Sequence, residues 1–430
     1  MSEVSNSRVA IVGGSIAGCA AYIALMRANV DINVTIFERS TNLRDRGLGI
    51  GLPQPILDEL LKDGYIGNDY RFVRSTNRQW FVRDSDAPRD SQQAYMGRKV
   101  WEQKLPVLLN NWGLLWQQLR QRVPDTDYHS GVKISNITYS TSGVELFDDD
   151  NASVGTFDVV IAANGYNSSI RRRVVGDDAA NAPRYSGYVL WRGSAPYKDR
   201  IKDVVPNAEY FITEECLCTT CYEGGHGIFY LIPNSRDPED YTLNWGLYLP
   251  TPPGINVESP SSIWSDAIPD VAMDFFHAIV QRELPPFFQK LVAHSDSRDM
   301  SIHPIYDDNP PHYTDEVGQS VLIGDAGAIL RPHTASGTSK ALSEARLLGS
   351  LAASSSSSSQ ANDTWLKVFA KYEEERKVVS ADLVELGYRL GTAQVVETPS
   401  WATMTVDEYE AWSKDIVAGG ALYLYQKSEG

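Results

Sequence analysis

Hydrophobic residues along this chain fall into two patterns. Continuous apolar runs occur at Val9 to Val12, Val34 to Phe37, Phe157 to Ala163 and Gln319 to Gly324. With no polar face to show, each reads as a strand buried on both sides in a parallel sheet. Between Tyr185 and Ser301 the runs are short and alternating: Tyr188 to Arg192, Glu209 to Thr213, Ile228 to Pro233 and Thr242 to Tyr248, with Gly224-Gly225 as a hairpin turn and Pro250 to Pro260 as a loop. Such alternation predicts an antiparallel sheet. Tyr70 to Arg83 alternates in the same way, and Val132 to Phe147 reads as a meander around Ser142-Gly143. Helical spacing marks Pro55 to Asp63, Trp101 to Arg122 (the helix proper from near Asn110), Trp264 to Val292 with a break at Pro285-Pro286, Lys340 to Leu351, Thr364 to Leu390 and a short final helix. Ser354 to Ser359 is a homopolymer and is expected to be a loose loop.

The first buried strand runs into Gly13-Gly14-Ser15-Ile16-Ala17-Gly18, then a helix, then a second buried strand that ends on Glu38. Strand, glycine turn, helix, strand and acid in that order form a dinucleotide cradle. Gly13 permits the turn, Gly18 lets helix and sheet approach, and the amides of Ser15 to Ala17 can donate to a pyrophosphate at the positive helix end. Glu38 can accept from the hydroxyls of an adenosine ribose. Ser15 stands where the middle glycine is expected; its Cβ restricts close approach, although its hydroxyl can reach a phosphate. The plainer alternative is an ordinary glycine-rich turn, which the surrounding elements disfavour. Two later strand ends have similar character. Asn164-Gly165 precedes a helix bearing Arg171, and Gly324-Asp325 leads through Pro332-His333 to a turn, Gly337-Thr338-Ser339, at the head of another helix. Asp325 can bond a ribityl or ribose hydroxyl. Gly47, Gly49 and Gly51 at alternate positions let the backbone approach a flat ligand.

At 430 residues the chain can form two domains, or one large domain with an inserted layer. A net charge of -16 argues against nucleic acid and anionic membrane surfaces. No apolar run is long enough to span a bilayer, and a short polar N-terminus leads directly into the first strand, so a cytoplasmic location is expected. The 10 Trp and 22 Tyr suit an aromatic-lined pocket, although for any single one of them core packing is the better reading. Cys216, Cys218 and Cys221 lack a second cysteine pair or a histidine pair to close a tetrahedral site, although His226 is close. They read as residues of a hairpin strand, Cys19 as helix packing, and no metal is expected.

The glycine turn with Glu38, the Asn164-Gly165 turn and the Gly324-Asp325 segment together resemble the class A FAD-dependent aromatic hydroxylases. A narrower likeness is to 2,6-dihydroxypyridine 3-monooxygenase-like enzymes. It is carried by the Gly13 to Gly18 turn, Gly51-Leu-Pro-Gln-Pro55, Tyr185 to Gly193, Gly324-Asp-Ala, and Arg331-Pro-His with Gly337 and Lys340. The resemblance implies an α/β fold: a Rossmann-like FAD-binding domain of the para-hydroxybenzoate hydroxylase type, an inserted antiparallel-sheet substrate domain and C-terminal helices. On this expectation residues 1–184 (with a small strand insertion near 70–95) and 301–353 hold FAD, 185–300 hold the substrate and 360–430 are helical.

By the same resemblance, Gly13, Gly14, Ser15, Ile16, Ala17 and Gly18 hold the FAD pyrophosphate, with Glu38 and Arg39 at the adenosine. Gly47 to Gly51, with Gly49 among them, flank the flavin ring from the other side, Gln54 is a further cofactor-binding candidate, Asn164 and Gly324 belong to the other two motifs, and Asp325 meets the ribityl chain. Pro332, Gly337, Thr338 and Ser339 run along the isoalloxazine. His333 with Pro332 is the candidate catalytic pair, and Arg192, Tyr230, Trp245 and Tyr248 are candidates for the substrate wall. The implied reaction is hydroxylation of a small hydroxylated aromatic or N-heteroaromatic ring. NAD(P)H and O2 are consumed, and oxygen passes through a flavin C4a-hydroperoxide. A homodimer is left open. Asn164 departs from the usual Asp of its motif, and Lys340 stands where many relatives have Asn. Competing readings are a same-fold reductase, epoxidase or halogenase (no W-x-W-x-I-P stretch supports the last), a plain NAD-dependent dehydrogenase, and an FAD-binding protein with impaired NAD(P)H use.

Overall fold

A computed structural model describes residues 7–28, 31–42, 47–176, 182–258, 261–295, 297–355 and 361–417. Of the serine run, Ser354 and Ser355 end a helix, and the expected loop beyond them lies outside the described residues.

The continuous apolar runs pair as expected. Five parallel strands lie in the order Ser320–Leu322, Val159–Ala162, Ser7–Val12, Ile32–Glu38, Tyr128–Ser130. The helix Ile16–Arg27 packs on this sheet, and the helix Gly337–Ser355 packs on it in turn. The two helices are close because Gly349 has no side chain; a Cβ there would lie 2.6 Å from the Ala24 carbonyl oxygen.

The second sheet is larger than the alternating runs suggest. Nine strands follow the order Ile263–Trp264, Ser301–Asp307, Arg184–Pro196, Tyr241–Pro250, Gly225–Pro233, Cys216–Tyr222, Val73–Val82, Arg98–Asn111, Gly49–Leu52. Strands from residues 49 to 111 and from 301 to 307 therefore complete a sheet expected to lie within 185–300. The 70–95 insertion is part of that sheet, joined by the parallel pair Val73–Val82 and Cys216–Tyr222.

Two local readings are corrected. Arg98–Asn111 is a strand, although Leu105, Leu108 and Leu109 fit a helical spacing. Pro106 bars a helix interior, and the pairing slips beside it, from Ser75↔Val107 to Asn77↔Lys104, so the proline sits in a bulge. The helix begins only at Trp112, where the Asn111 side chain accepts from Gly113 N at 2.8 Å and Leu114 N at 3.2 Å. Tyr210–Thr213 is a short helix, not a strand.

One face of the large sheet packs on the helices Asp270–Glu283 and Pro286–Ala293, where Trp191, Trp245, Phe276, Phe287 and Phe288 make a dry core. The outer strands are backed elsewhere by Trp401, Tyr409 and Trp412, which close over Trp80 and Trp101. All four cysteines are free and buried.

Candidate active site

The two sheets meet at a cleft of about 860 Å³. At one end is the glycine turn. Gly13 is in the left-handed region at φ 108°, and a Cβ on Gly18 would lie 1.8 Å from the Gly13 carbonyl oxygen. The turn is held from behind: Trp116 Nε1 (2.9 Å) and Tyr128 Oη (3.1 Å) donate to the Gly14 carbonyl, while the Gly14 amide donates to Glu38 Oε2 at 2.7 Å. Glu38 also accepts from Ser40 N at 2.8 Å, and each of its oxygens keeps lone-pair capacity toward the cleft it lines.

Across the cleft, residues 324–337 form only the short 3-10 helices Gly324–Ala326 and Pro332–Thr334 before the helix at Gly337, and three ion pairs out of reach of bulk water pin them. Lys340 Nζ donates to the Gly324 carbonyl at 2.7 Å and pairs with Glu344 at 3.1 Å, while Glu344 Oε2 accepts from Gly324 N at 2.7 Å. The peptide groups on both sides of Gly324, itself left-handed at φ 59°, are thereby fixed. Arg171 pairs with Asp308 and donates to the carbonyls of Ala326 (2.8 Å) and Gly327. Arg331 pairs with Asp307, which also takes Arg184 at 2.9 Å. Asp325 is left projecting into the cleft, open to the space but walled by protein. That enclosure pushes its carboxyl up, and the Lys340 ammonium draws it back.

Of the expected residues, Gly13, Ser15, Ile16, Ala17, Glu38, Arg39, Gly49, Asn164, Gly324, Asp325, Pro332, Gly337 and Thr338 line the cleft, as do Arg192, Tyr230 and Tyr248. Gly14, Gly18 and Ser339 lie behind its wall. Gln54 is away from it, bonded to Asp58 at 2.7 Å and to Arg74 at 3.2 Å. Trp245 borders the cleft, but its indole belongs to the helix-facing side of the sheet, stacked near Phe276 at 5.9 Å and donating to Ser295 Oγ at 2.6 Å. Strand parity explains this: Asn244, Gly246 and Tyr248 face the cleft, so the residue between the first two cannot.

His333 is also set back. Pro332 faces the open space, whereas His333 is buried, bonds Tyr188 Oη through Nε2 at 2.8 Å, and stacks on Tyr248 at 4.2 Å and near His226 at 5.3 Å. Burial, with His226 and the nearby cations Arg331 and Arg78, holds it well below the usual histidine range, so the ring is neutral. Residues the sequence reading passed over include Asn244, Gly246, Ala335 and Glu344. Asn244 and Gly246 follow from strand parity once the register is known. Ala335 is left-handed at φ 49°, and Glu344 shows only as the i+4 partner of Lys340.

These residues suit a flavin dinucleotide. Two helix N-termini, those of Ile16–Arg27 and Gly337–Ser355, open onto one cleft with unpaired first-turn amides. Asn164 Oδ1, on the lining, is buried without a hydrogen-bond partner. A Cβ on Gly49 would fall 2.5 Å from Tyr230, so this backbone is already as close to the wall as it can be.

A parallel sheet is thus joined along one cleft to a curled, mostly antiparallel wall, a fold shared with solved flavin hydroxylases. No protein-family model matches the chain. By sequence it is a homologue of FAD-dependent monooxygenases, with 26% identity over 359 residues to 2,6-dihydroxypyridine 3-monooxygenase of Paenarthrobacter nicotinovorans, covering 80% of this chain and 82% of that one. Its fold matches the structure of 2,6-dihydroxypyridine-3-hydroxylase from Arthrobacter nicotinovorans with a TM-score of 0.76 at 22% identity, over 92% of this chain and 95% of that one. It also matches Klebsiella pneumoniae HpxO, crystallised with FAD and uric acid, with a TM-score of 0.70 at 18% identity, over 96% and 94%. Among the described residues no helix is long and apolar enough to cross a membrane, and no acid, histidine or cysteine cluster suits a metal.

Proposed function

We propose that this chain is an FAD-dependent monooxygenase that hydroxylates a small hydroxylated aromatic or N-heteroaromatic compound with NAD(P)H and O2. The observation that carries the reading is the continuity of the cleft: the glycine turn, Asp325 and the Gly337 helix end share one cavity with Arg192, Tyr230 and Tyr248. The relatives' names, which specify hydroxypyridine and aminohydroxybenzoate substrates, support the substrate class.

When bound, FAD would carry the electrons from NAD(P)H and activate O2, which supplies the oxygen atom. The protein's part is to hold and shield. Amides of Ser15 to Ala17 would hold the pyrophosphate, Glu38 the ribose and Asp325 the ribityl hydroxyls. Amides at the Gly337–Thr338 turn, which line the cleft, would favour negative charge on a flavin bound there. Pro332 closes the cleft wall with an apolar surface that excludes water. His333 is a positioning residue that sets Pro332 and Tyr248 through its stack. His333→Ala lowers product formed per NADPH oxidised, and His333→Gln restores part of it; unchanged coupling in the alanine variant removes His333 from the mechanism.

The deciding experiment is the visible spectrum of the purified protein, followed by NADH and NADPH oxidation with hydroxypyridines and phenols. Flavin bands with ring-stimulated oxidation and a hydroxylated product are expected. Flavin bands with inert NAD(P)H would favour the reading in which Asn164, neutral where relatives carry an acid, marks impaired use of the reductant.

A further inference from the structure

We propose that the protein holds a halide ion, chloride in solution, in a second site beside Arg78, apart from the catalytic cleft. A small cavity of about 10 Å³ lies where the strands Val73–Val82 and Arg98–Asn111 meet the π-helical turn Thr392–Val396 and the helix Val406–Val417. None of the residues lining it lines the cleft. Arg78 supplies its charge. The residue is only 6% exposed, its guanidinium lies over the Trp80 ring at 4.1 Å, and Nε donates to Thr219 Oγ1 at 2.7 Å. Arg171 and Arg331 are each paired with an Asp, whereas Arg78 has no carboxylate partner among the described residues, and no acidic residue lines the cavity. A buried guanidinium without a counter-charge is costly, and an anion is what relieves it.

The rest of the lining suits an anion too. The Trp80 indole N–H, which can only donate, is buried without a partner. Ser413 brings a hydroxyl, and Gln394 and Gln103 bring side-chain amides. Gln103 Oε1 has no donor in the protein, and turning that amide over puts its NH2 in place of the oxygen. Size then selects among anions. The space takes one monatomic ion and is too small for phosphate, sulfate or a carboxylate. A water fits as well, but it leaves Arg78 uncompensated. The ion touches two strands of the large sheet and the helix Val406–Val417 at once, so it fastens that helix to the sheet.

The test uses the full-length protein as purified and does not depend on its catalytic activity. In crystals soaked in sodium bromide, an anomalous peak is expected beside Arg78 and Trp80. In solution, melting temperature is compared in sodium chloride and in sodium gluconate, whose anion is too large for the cavity, at equal ionic strength. Chloride should raise it by about 2–3 °C, with saturation. Arg78→Met should lose the peak and the gain. Ser413→Leu, which fills the cavity and keeps the cation, should lose them as well. Ordered density with no anomalous signal, which means water, overturns the proposal. So do melting curves that coincide in the two salts, or an Arg78→Met variant that keeps the chloride gain. If Arg78→Met does not fold, the wild-type diffraction and the salt comparison still decide.

Discussion

The two ends of the cleft are built on different principles. At the glycine turn, six consecutive residues and one acid do the work, and each is held by backbone geometry: Gly13 by its φ, Gly18 by contact, Gly14 by bonds on both its peptide groups. At the curled wall, Arg192, Tyr230, Asn244, Tyr248 and Gly49 come from four separate strands, and nothing local ties them together. The first end depends on a short motif. The second depends on register, and a slip of one residue would turn every one of its side chains away.

That contrast can be broken at the motif end first. Gly18→Val drives a branched side chain into the Gly13 carbonyl, and we expect no flavin-retaining soluble protein at all, read from the yield and absorbance of purified protein. Lys340→Met is next. It leaves Glu344 charged and buried with only the Gly324 amide, at a cost of about 3–5 kcal/mol in denaturant unfolding. Adding Glu344→Gln should recover part of that loss, because a neutral amide still accepts from Gly324; no recovery would mean the pair acts through something other than charge.

Acid should sharpen the comparison from the wall side. His226 is held at about 3 by burial and by Arg78. Folded His226 stays neutral while the unfolded chain takes up a proton below about pH 6.5, so its stability is complete above that pH and is lost as pH falls toward the folded value. The loss is about 2 kcal/mol at pH 5. Melting temperature measured between pH 7.5 and 5 should fall, and His226→Gln should flatten the slope; a pH-independent melt contradicts the burial. The smallest effect is expected at Trp245→Phe, which gives up the Ser295 bond for about 1 kcal/mol and leaves KM for the aromatic substrate within about twofold.

The same contrast explains what was legible in the sequence. The parallel strands, the cradle and the Gly324-Asp325 segment could be read because each is a local pattern with its own physical reason. Arg98–Asn111 could not, because its leucines satisfy helix and strand spacing alike until Pro106 and the pairing with Val73–Val82 decide. The direction of the Trp245 indole was not legible for the opposite reason: its strand was read correctly, but which parity faced the cavity depends on a partner sheet and two helices elsewhere in the chain. His333 adjoins Pro332, which lines the cleft, yet adjacency along the chain placed it behind the surface and not on it. Glu344 carried no signal beyond its spacing from Lys340.

The tryptophan cluster behind the wall has a consequence for how the chain reaches its native state. Trp80 and Trp101, set in place by strands near the start, pack against Trp401, Tyr409 and Trp412 from near the end of the described chain. During synthesis that aromatic face waits for nearly the whole chain to emerge, exposing a broad, sticky surface meanwhile. Contacts of such long sequence separation are slow to form. Refolding should therefore end in a late phase in which tryptophan fluorescence changes after the parallel sheet has gained its secondary structure.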